Sequence, residues 1–321
     1  MRSLRDWVRL GVLCLFAASA SMASSAQGQT YPAGPVKFIT PMPAGGGTDP
    51  AMRIVINELG RMWGQQTVLV NQPGAGGAIA ARAAAAAAPD GHTLFLPIAS
   101  TFTTLSATQP NLPFSFDDFV RIGFAGEVPF GIAVSPGLAA SSLPELVALS
   151  KRQPGGLNVA VALRGGTTHL ATELFRVRSG ADLTVVFYPG AAQAMSDVIS
   201  GRVSVLIDGS AITAPQLKLL ATTSTTRLAS RPEIATVSET LPGFAASGWF
   251  VLVAPPGTPA AIANKASDDL RVALAQPDVK EKLAALAVST RSMSPQELHS
   301  FIRSEQELWA PVIKQIGLAT Q

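Results

Sequence analysis

The chain has 321 residues, 47% of them hydrophobic and 14% charged, with 24 Lys and Arg set against 21 Asp and Glu. Arg2, Arg5, Arg9 and Asp6 fall at the very start, so the remainder carries a net charge of about +1 and has no basic cluster able to grip nucleic acid. The one cysteine, Cys14, lies in that same leading segment, which excludes disulfides, thiol nucleophiles and thiolate metal sites from the rest.

Residues 1–26 read as a secretory signal peptide: the basic "MRSLRDWVR", the short apolar "LGVLCLFAASA", then small residues in "SMASSA". Cleavage is predicted after Ala26, with Ala23 the alternative, and the apolar run is too short to span a bilayer. Leu13 stands before Cys14, where a lipid-attachment site has a small residue. The protein is therefore expected to be exported to the periplasm. Nearly 300 further residues suffice for a large core, predicted to form two lobes.

Short apolar strands then alternate with amphipathic helices. "VKFIT" predicts a strand, "PAMRIVINELGRMWG" a helix, "TVLVNQ" a strand, "GAIAARAAAAAAPDG" a helix and "HTLFLPIA" a strand. Next come the strand "FGIAVSP", the helix "LPELVALSKRQPGG" capped by Ser142 and Glu145, and the strand "LNVAVA". "TTHLATELFRVRSG" and "AAQAMSDVISG" predict helices, each followed by a strand, "LTVVFY" and "VSVLID". Residues 209–248 mix turn and strand signals before "ASGWFVLVAPPG" resumes as a buried strand. The helices "TPAAIANKASDDLRVALAQ" and "SPQELHSFIRSEQELWAPVIKQIG" close the chain. This alternation predicts an α/β protein with mainly parallel sheets covered by helices.

Glycine-rich turns recur at the strand-to-helix junctions, where open α/β sheets bind ligands: "PAGGGTD", "PGAGG", "LRGGTTH" and "YPGAAQ". In "FITPMPAGGGTDPAMRIVINELG" three consecutive glycines precede a helix that Thr48 or Asp49 is placed to cap, with Pro50 in its first turn. Bare amides at a helix N-terminus favour an anion. A tight capped turn with no ligand remains the alternative. No G-x-S-x-G elbow, P-loop or complete G-x-G-x-x-G is present, and three scattered histidines do not form a metal cluster. Neither a cofactor nor a metal is expected. An exported hydrolase would have to rely on Thr168 with His169.

The segments "YPAGPVKFITPMPAGGGTD", "NQPGAGG", "AAPDGHTL", "GGTTHLATELF", "VVFYPGAAQAMSDVISGRVSVLID", "LPGF" and "WFVLVAPPGTP" resemble, in order and spacing, those of the tripartite tricarboxylate transporter receptors, or Bug family. The likeness runs from about Tyr31 to the C-terminus. It implies a two-lobed, type II periplasmic-binding (Venus flytrap) fold, with a first lobe over residues 31–127 and 247–321, a second over 128–246, and two crossing strands as hinge. The crossings are expected near Glu127–Phe130 and Phe244–Trp249. The implied activity is capture of a small carboxylate by a monomer that delivers it to integral-membrane transporter subunits. An orphan sensor docking on a signalling receptor is the alternative.

By position, the resemblance implies a carboxylate pincer of Ala44, Gly45, Gly46, Gly47, Thr48 and Asp49 against Gly166, Thr167, Thr168 and His169. Ser100 and Thr101 would line the floor, and Tyr188, Gly190 and Asp208 would contribute from the second lobe. Arg164 adds a charge in a loop the family commonly leaves uncharged, read either as a second clamp or as a rim residue. His169 is read as a ligand contact or a satisfied helix residue, and Asp208 as the partner of an amino or hydroxyl group or a strand-end cap. Met42, Leu170, Pro189 and Gly209 also depart from the family pattern, and about five residues are missing near "TAPQLKLL".

Overall fold

The computed structural model describes residues 31–109 and 111–318. The expected signal peptide and its cleavage site lie outside the described residues. Among the described residues, ten strands form two five-stranded sheets. The first contains β1 (Val36–Thr40), β2 (Thr67–Asn71), β3 (Thr93–Phe95), β4 (Val120–Pro129) and β10 (Ser247–Ala254), in the order β2-β1-β3-β10-β4. The second contains β5 (Gly131–Val134), β6 (Leu157–Ala162), β7 (Leu183–Tyr188), β8 (Val205–Asp208) and β9 (Lys218–Thr222), in the order β7-β6-β8-β5-β9.

Helices cover both sheets. They are α1 (Asp49–Trp63), α2 (Ala78–Ala85), the short α3 (Ala99–Phe102) and α4 (Thr104–Thr108), α5 (Leu143–Arg152), α6 (Thr167–Ser179), α7 (Ala191–Ile199), α8 (Ala260–Ala275), α9 (Pro277–Ala285) and α10 (Pro295–Gln315). The predicted elements recur with small shifts at their ends. To these the structure adds α3, α4, most of β4, β9 in the ambiguous stretch, and α9, which Pro277 opens in its first turn.

The sheets are mainly parallel, and each carries one reversed strand. β2, β1 and β3 run parallel, as do β7, β6 and β8, but β10 is antiparallel to both its neighbours and so is β5. The reversed strands are the two through which the chain passes between lobes. Each enters its new sheet at the cleft, beside the carboxyl ends of the resident strands, and so runs the opposite way to them.

Sheet membership changes at Phe130, between β4 and β5, and again just before Ser247 of β10. Thr223 joins the two passages. It takes the Phe130 N–H on its hydroxyl oxygen at 2.7 Å and gives its own N–H to the Phe130 carbonyl at 2.8 Å. The same hydroxyl donates to the Ala246 carbonyl at 2.5 Å. With Thr223 only 1% exposed, these bonds are shielded from water.

The last helix does not stay with the first lobe, to which residues 247–321 were all expected to belong. Leu298 and Ile302 of α10 pack in the first lobe's core with Phe102 and Trp249, whereas Trp309 and Ile313 sit in the second lobe's core with Phe175 and Phe244. All four lie on one helical stripe. The fully buried Trp309 alone contributes about 1.5–3 kcal/mol of apolar burial to the attachment. Among the described residues, no helix is long and apolar enough to cross a membrane.

Candidate functional site

Three helices direct their N-termini at one cavity of about 90 Å³ between the lobes: α1 from the first lobe, α6 and α7 from the second. Ahead of α1, Gly45 has a φ of +73°, open to glycine but strained for other residues, and it is the third residue of the turn in which Gly46 N–H meets the Pro43 carbonyl at 3.0 Å. Gly46 is packed tightly, since a Cβ there would lie 2.3 Å from Met42 Sδ. Gly47 is different: a Cβ there would meet nothing nearer than Oδ1 of Asp208, 3.8 Å away, so it faces the opposite lobe across open space.

This leaves the amides of Gly47 and Thr48 without a hydrogen-bond partner among the described residues, and likewise Thr167 and Thr168 at α6 and Gly190 and Ala191 at α7. All six residues line the cavity. Thr48 Oγ1 is buried with no partner either, and the residue is only 8% exposed. Thr48 stands at the N-cap, but its side chain does not cap the helix. Unpaired donors at three helix ends make a positive pole without a cation, and each charge-assisted bond to an anion contributes about 1.5–3 kcal/mol.

Asp49 has a different task. Its carboxylate accepts from Gly45 N–H at 3.1 Å, from Asn71 at 2.9 Å and from the Arg53 guanidinium at 3.0 and 3.1 Å, which locks the loop onto α1 and β2. Burial alone would raise its pKa, but the bonds from Arg53, Asn71 and Gly45 outweigh that and hold it below the ordinary range.

Of the sequence-predicted residues, the cavity gathers Gly46, Gly47, Thr48, Ser100, Gly166, Thr167, Thr168, Gly190 and Asp208. Ala44 and Gly45 are exposed on the loop's outer side, and Thr101 is buried behind the wall with its hydroxyl unpaired. Tyr188 donates its hydroxyl to Asp197 at 2.9 Å, away from the cavity. Arg164 and His169 line a separate hollow with Glu173, Arg176 and Phe187. There the Arg164 guanidinium lies 4.0 Å from the centre of the Phe187 ring.

His169 Nδ1 accepts the Gly165 N–H at 3.2 Å, so the ring proton is on Nε2, facing Glu173 Oε1 at 3.8 Å. Burial lowers its pKa, with Glu173 opposing and Arg164 and Arg176 reinforcing the shift. The Thr168 hydroxyl donates to the Ala162 carbonyl instead of approaching the imidazole, so the nucleophile–base pair a hydrolase would need is not assembled.

The sequence reading missed the apolar walls: Met42, Pro43, Ile98, Val128, Phe130, Leu163 and Trp249. Phe130 and Trp249 flank the expected crossings, and that was the available signal. Gly209, also in the wall, leaves room for Val128, whose Cγ1 would lie 2.7 Å from a Cβ at that position.

A family model described as tripartite tricarboxylate transporter family receptor matches residues 51–318. The chain belongs to that family. It is 34% identical to the protein BugT of Bordetella pertussis over 316 residues, covering 96% of this chain and 97% of that one. Among solved structures, it is similar to an R. palustris protein determined with adipate, with a TM-score of 0.84, 28% identity and coverage of 90% and 99%. MatC from Rhodopseudomonas palustris, with bound malate, gives a TM-score of 0.79, 29% identity and coverage of 88% and 100%. The periplasmic binding protein BugD gives 0.80 and 28%, covering 91% of this chain and 100% of that one. The receptor fold is thus a two-lobed α/β periplasmic-binding fold.

Proposed function

We propose that this protein is a periplasmic receptor that captures a small carboxylate between its lobes and, as a monomer, delivers it unchanged to the membrane subunits of a tripartite tricarboxylate-type transporter. The observation that carries the reading is the set of unpaired amides at α1, α6 and α7, brought from both lobes to one cavity. A carboxylate there touches both lobes at once, so binding favours the closed arrangement and gives the membrane partner a shape to recognise. The relatives solved with adipate and malate support a carboxylate. The hydrogen bonds that hold Thr168 and His169 apart support binding without turnover.

The test is a thermal-shift screen of the mature protein against mono-, di- and tricarboxylates, aromatic acids and amino acids, with the solute recovered afterwards. An acid present at one hundred times its Kd adds about 2.7 kcal/mol, enough to move the midpoint by a few degrees. Gly47→Val, whose methyl groups project into the cavity beyond a Cβ that meets only Asp208 Oδ1, is expected to abolish the shift, and Gly47→Ala, which adds that Cβ alone, should leave the unliganded midpoint near wild type. Absence of any acid-dependent shift, or recovery of a cleaved solute, contradicts the reading.

A further inference from the structure

A second hollow, of about 280 Å³, opens on the first lobe and shares no lining residue with the solute cavity. Its floor is apolar, built from Phe124 of β4, Leu270 of α8 and Met293. Gly123 lets α8 pack this closely on β4, since a Cβ there would lie 2.9 Å from Leu270 Cδ2. Around the floor stand three cations, Arg271, Lys280 and Arg291, and among the described residues the lining contains no Asp or Glu. The chain beyond its leading segment has a net charge of only about +1, so three cations without an acid are a local concentration and not a general bias. Arg271 meets Asp268 at 3.5 Å where both side chains are exposed, a pairing that contributes little. Lys280 is in no ion pair among the described residues. Arg291 is held in place: its guanidinium lies 4.9 Å from the ring centres of Phe124 and Phe301 and 3.4 Å from Glu127 Oε2. Its segment is fixed too, because Ser289 and Glu127 exchange both backbone hydrogen bonds at 2.9 Å.

From this lining we propose that the hollow seats an acidic segment of the transporter's membrane subunits, with carboxylates among Arg271, Lys280 and Arg291 and an apolar side chain on the floor. The proposal rests on the receptor reading above. An apolar floor inside a charged rim, with Arg, Met and an aromatic ring among its residues, is the anatomy of a protein interface. The span of the hollow, wider than the 90 Å³ solute cavity, suits a chain segment better than a free metabolite. Exposed cations steer an acidic partner from a distance and select against a basic one. The hollow also adjoins the hinge. Glu127, which holds Arg291, accepts from the Ser247 hydroxyl at 2.8 Å, so one carboxylate ties the wall of the hollow to β4 and β10, the strands at the two crossings.

The test is uptake of a radiolabelled acid, the one that gives the largest thermal shift, by cells whose chromosomal gene is deleted and supplied on a plasmid, with periplasmic levels matched by immunoblot. Arg271→Glu with Lys280→Glu reverses the rim at two exposed positions outside the solute cavity. It is expected to leave the unliganded midpoint near wild type and the solute Kd within twofold, and to cut uptake at least tenfold. Arg271→Lys with Lys280→Arg keeps the charge and should keep the uptake. The control is Lys151→Glu with Arg152→Glu, an equal charge change at the exposed end of α5, which should take up solute as wild type does. Full uptake by the Arg271 and Lys280 reversal, a loss matched by the α5 control, or a loss accounted for by weaker solute binding overturns the docking proposal and leaves the receptor reading intact. If the wild-type protein itself restores no uptake, the transport reading fails and the proposal with it. Co-sedimentation of wild type, but not of the reversal, with phosphatidylglycerol vesicles at physiological salt would assign the hollow to lipid and overturn the protein partner.

Discussion

Trp249 and Trp309 donate their indole N–H groups to the same oxygen, Oε2 of Glu305, at 2.8 and 3.2 Å. Trp249 belongs to β10 and lines the cavity, whereas Trp309 is buried in the second lobe's core. One carboxylate on α10 therefore joins the cavity wall to the far lobe. Glu305→Leu leaves two buried N–H groups unpaired and is expected to cost about 1–3 kcal/mol for each. Glu305→Gln keeps an acceptor and should cost less. Denaturant unfolding followed by tryptophan fluorescence checks the order, and equal midpoints for the two variants would contradict it. Burial raises the Glu305 pKa, with the two indole bonds opposing. The folded state therefore takes up this proton more readily than the unfolded chain. Its contribution to stability declines as pH rises from the ordinary glutamate range through the raised value, and Glu305→Gln should remove that slope.

Thr223 is the second link between the lobes. Thr223→Val preserves shape but leaves the Phe130 N–H buried without its acceptor, an expected loss of about 1–3 kcal/mol. Thr223→Ser keeps the hydroxyl and should fall well short of that. Chemical denaturation distinguishes them.

His169 supports the solute loop from behind. The bond from Gly165 N–H requires a bare Nδ1, and Gly165 lies between the positive-φ Leu163 (φ +66°) and the cavity-lining Gly166. Protonation removes that acceptor. Because burial depresses the folded pKa below the ordinary 6.5, the unfolded chain binds the proton first, and stability falls as pH drops from about 6.5 through the lower folded value. Solute affinity should fall over the same window. His169→Asn, which offers an oxygen near the Nδ1 position and does not titrate, should flatten both profiles. An unchanged pH dependence in that variant would exclude the imidazole as its source.

Asp49→Ala removes the acceptor shared by Gly45, Asn71 and Arg53, and with it the anchor of the glycine loop. The expected result is at least a tenfold loss of solute affinity although Asp49 lies outside the cavity wall, measured by titration with whichever acid gives the largest thermal shift.

Strand–helix alternation and turn chemistry made most elements legible, because a Gly-rich junction and a capping pair such as Ser142 with Glu145 are local signals. The reversed strands β5 and β10 were not legible: an apolar run carries no record of direction. Nor was the double allegiance of α10, since Leu298, Ile302, Trp309 and Ile313 form one uninterrupted apolar stripe whichever core receives them. At the site, the loops announced themselves through glycine, but Phe130 and Trp249 read as ordinary core. Helical geometry explains His169. It follows Thr168 by one residue, about 100° around α6, and so faces the outer hollow rather than the cavity.

Amide NMR of the mature protein, titrated with the acid that gives the largest thermal shift, tests the central claim most directly. The account predicts that the amide protons of Gly47, Thr48, Thr167, Thr168, Gly190 and Ala191 move downfield together along one saturation curve. If those six stay in place while the largest changes gather around Arg164, Arg176 and Phe187, the claim is contradicted.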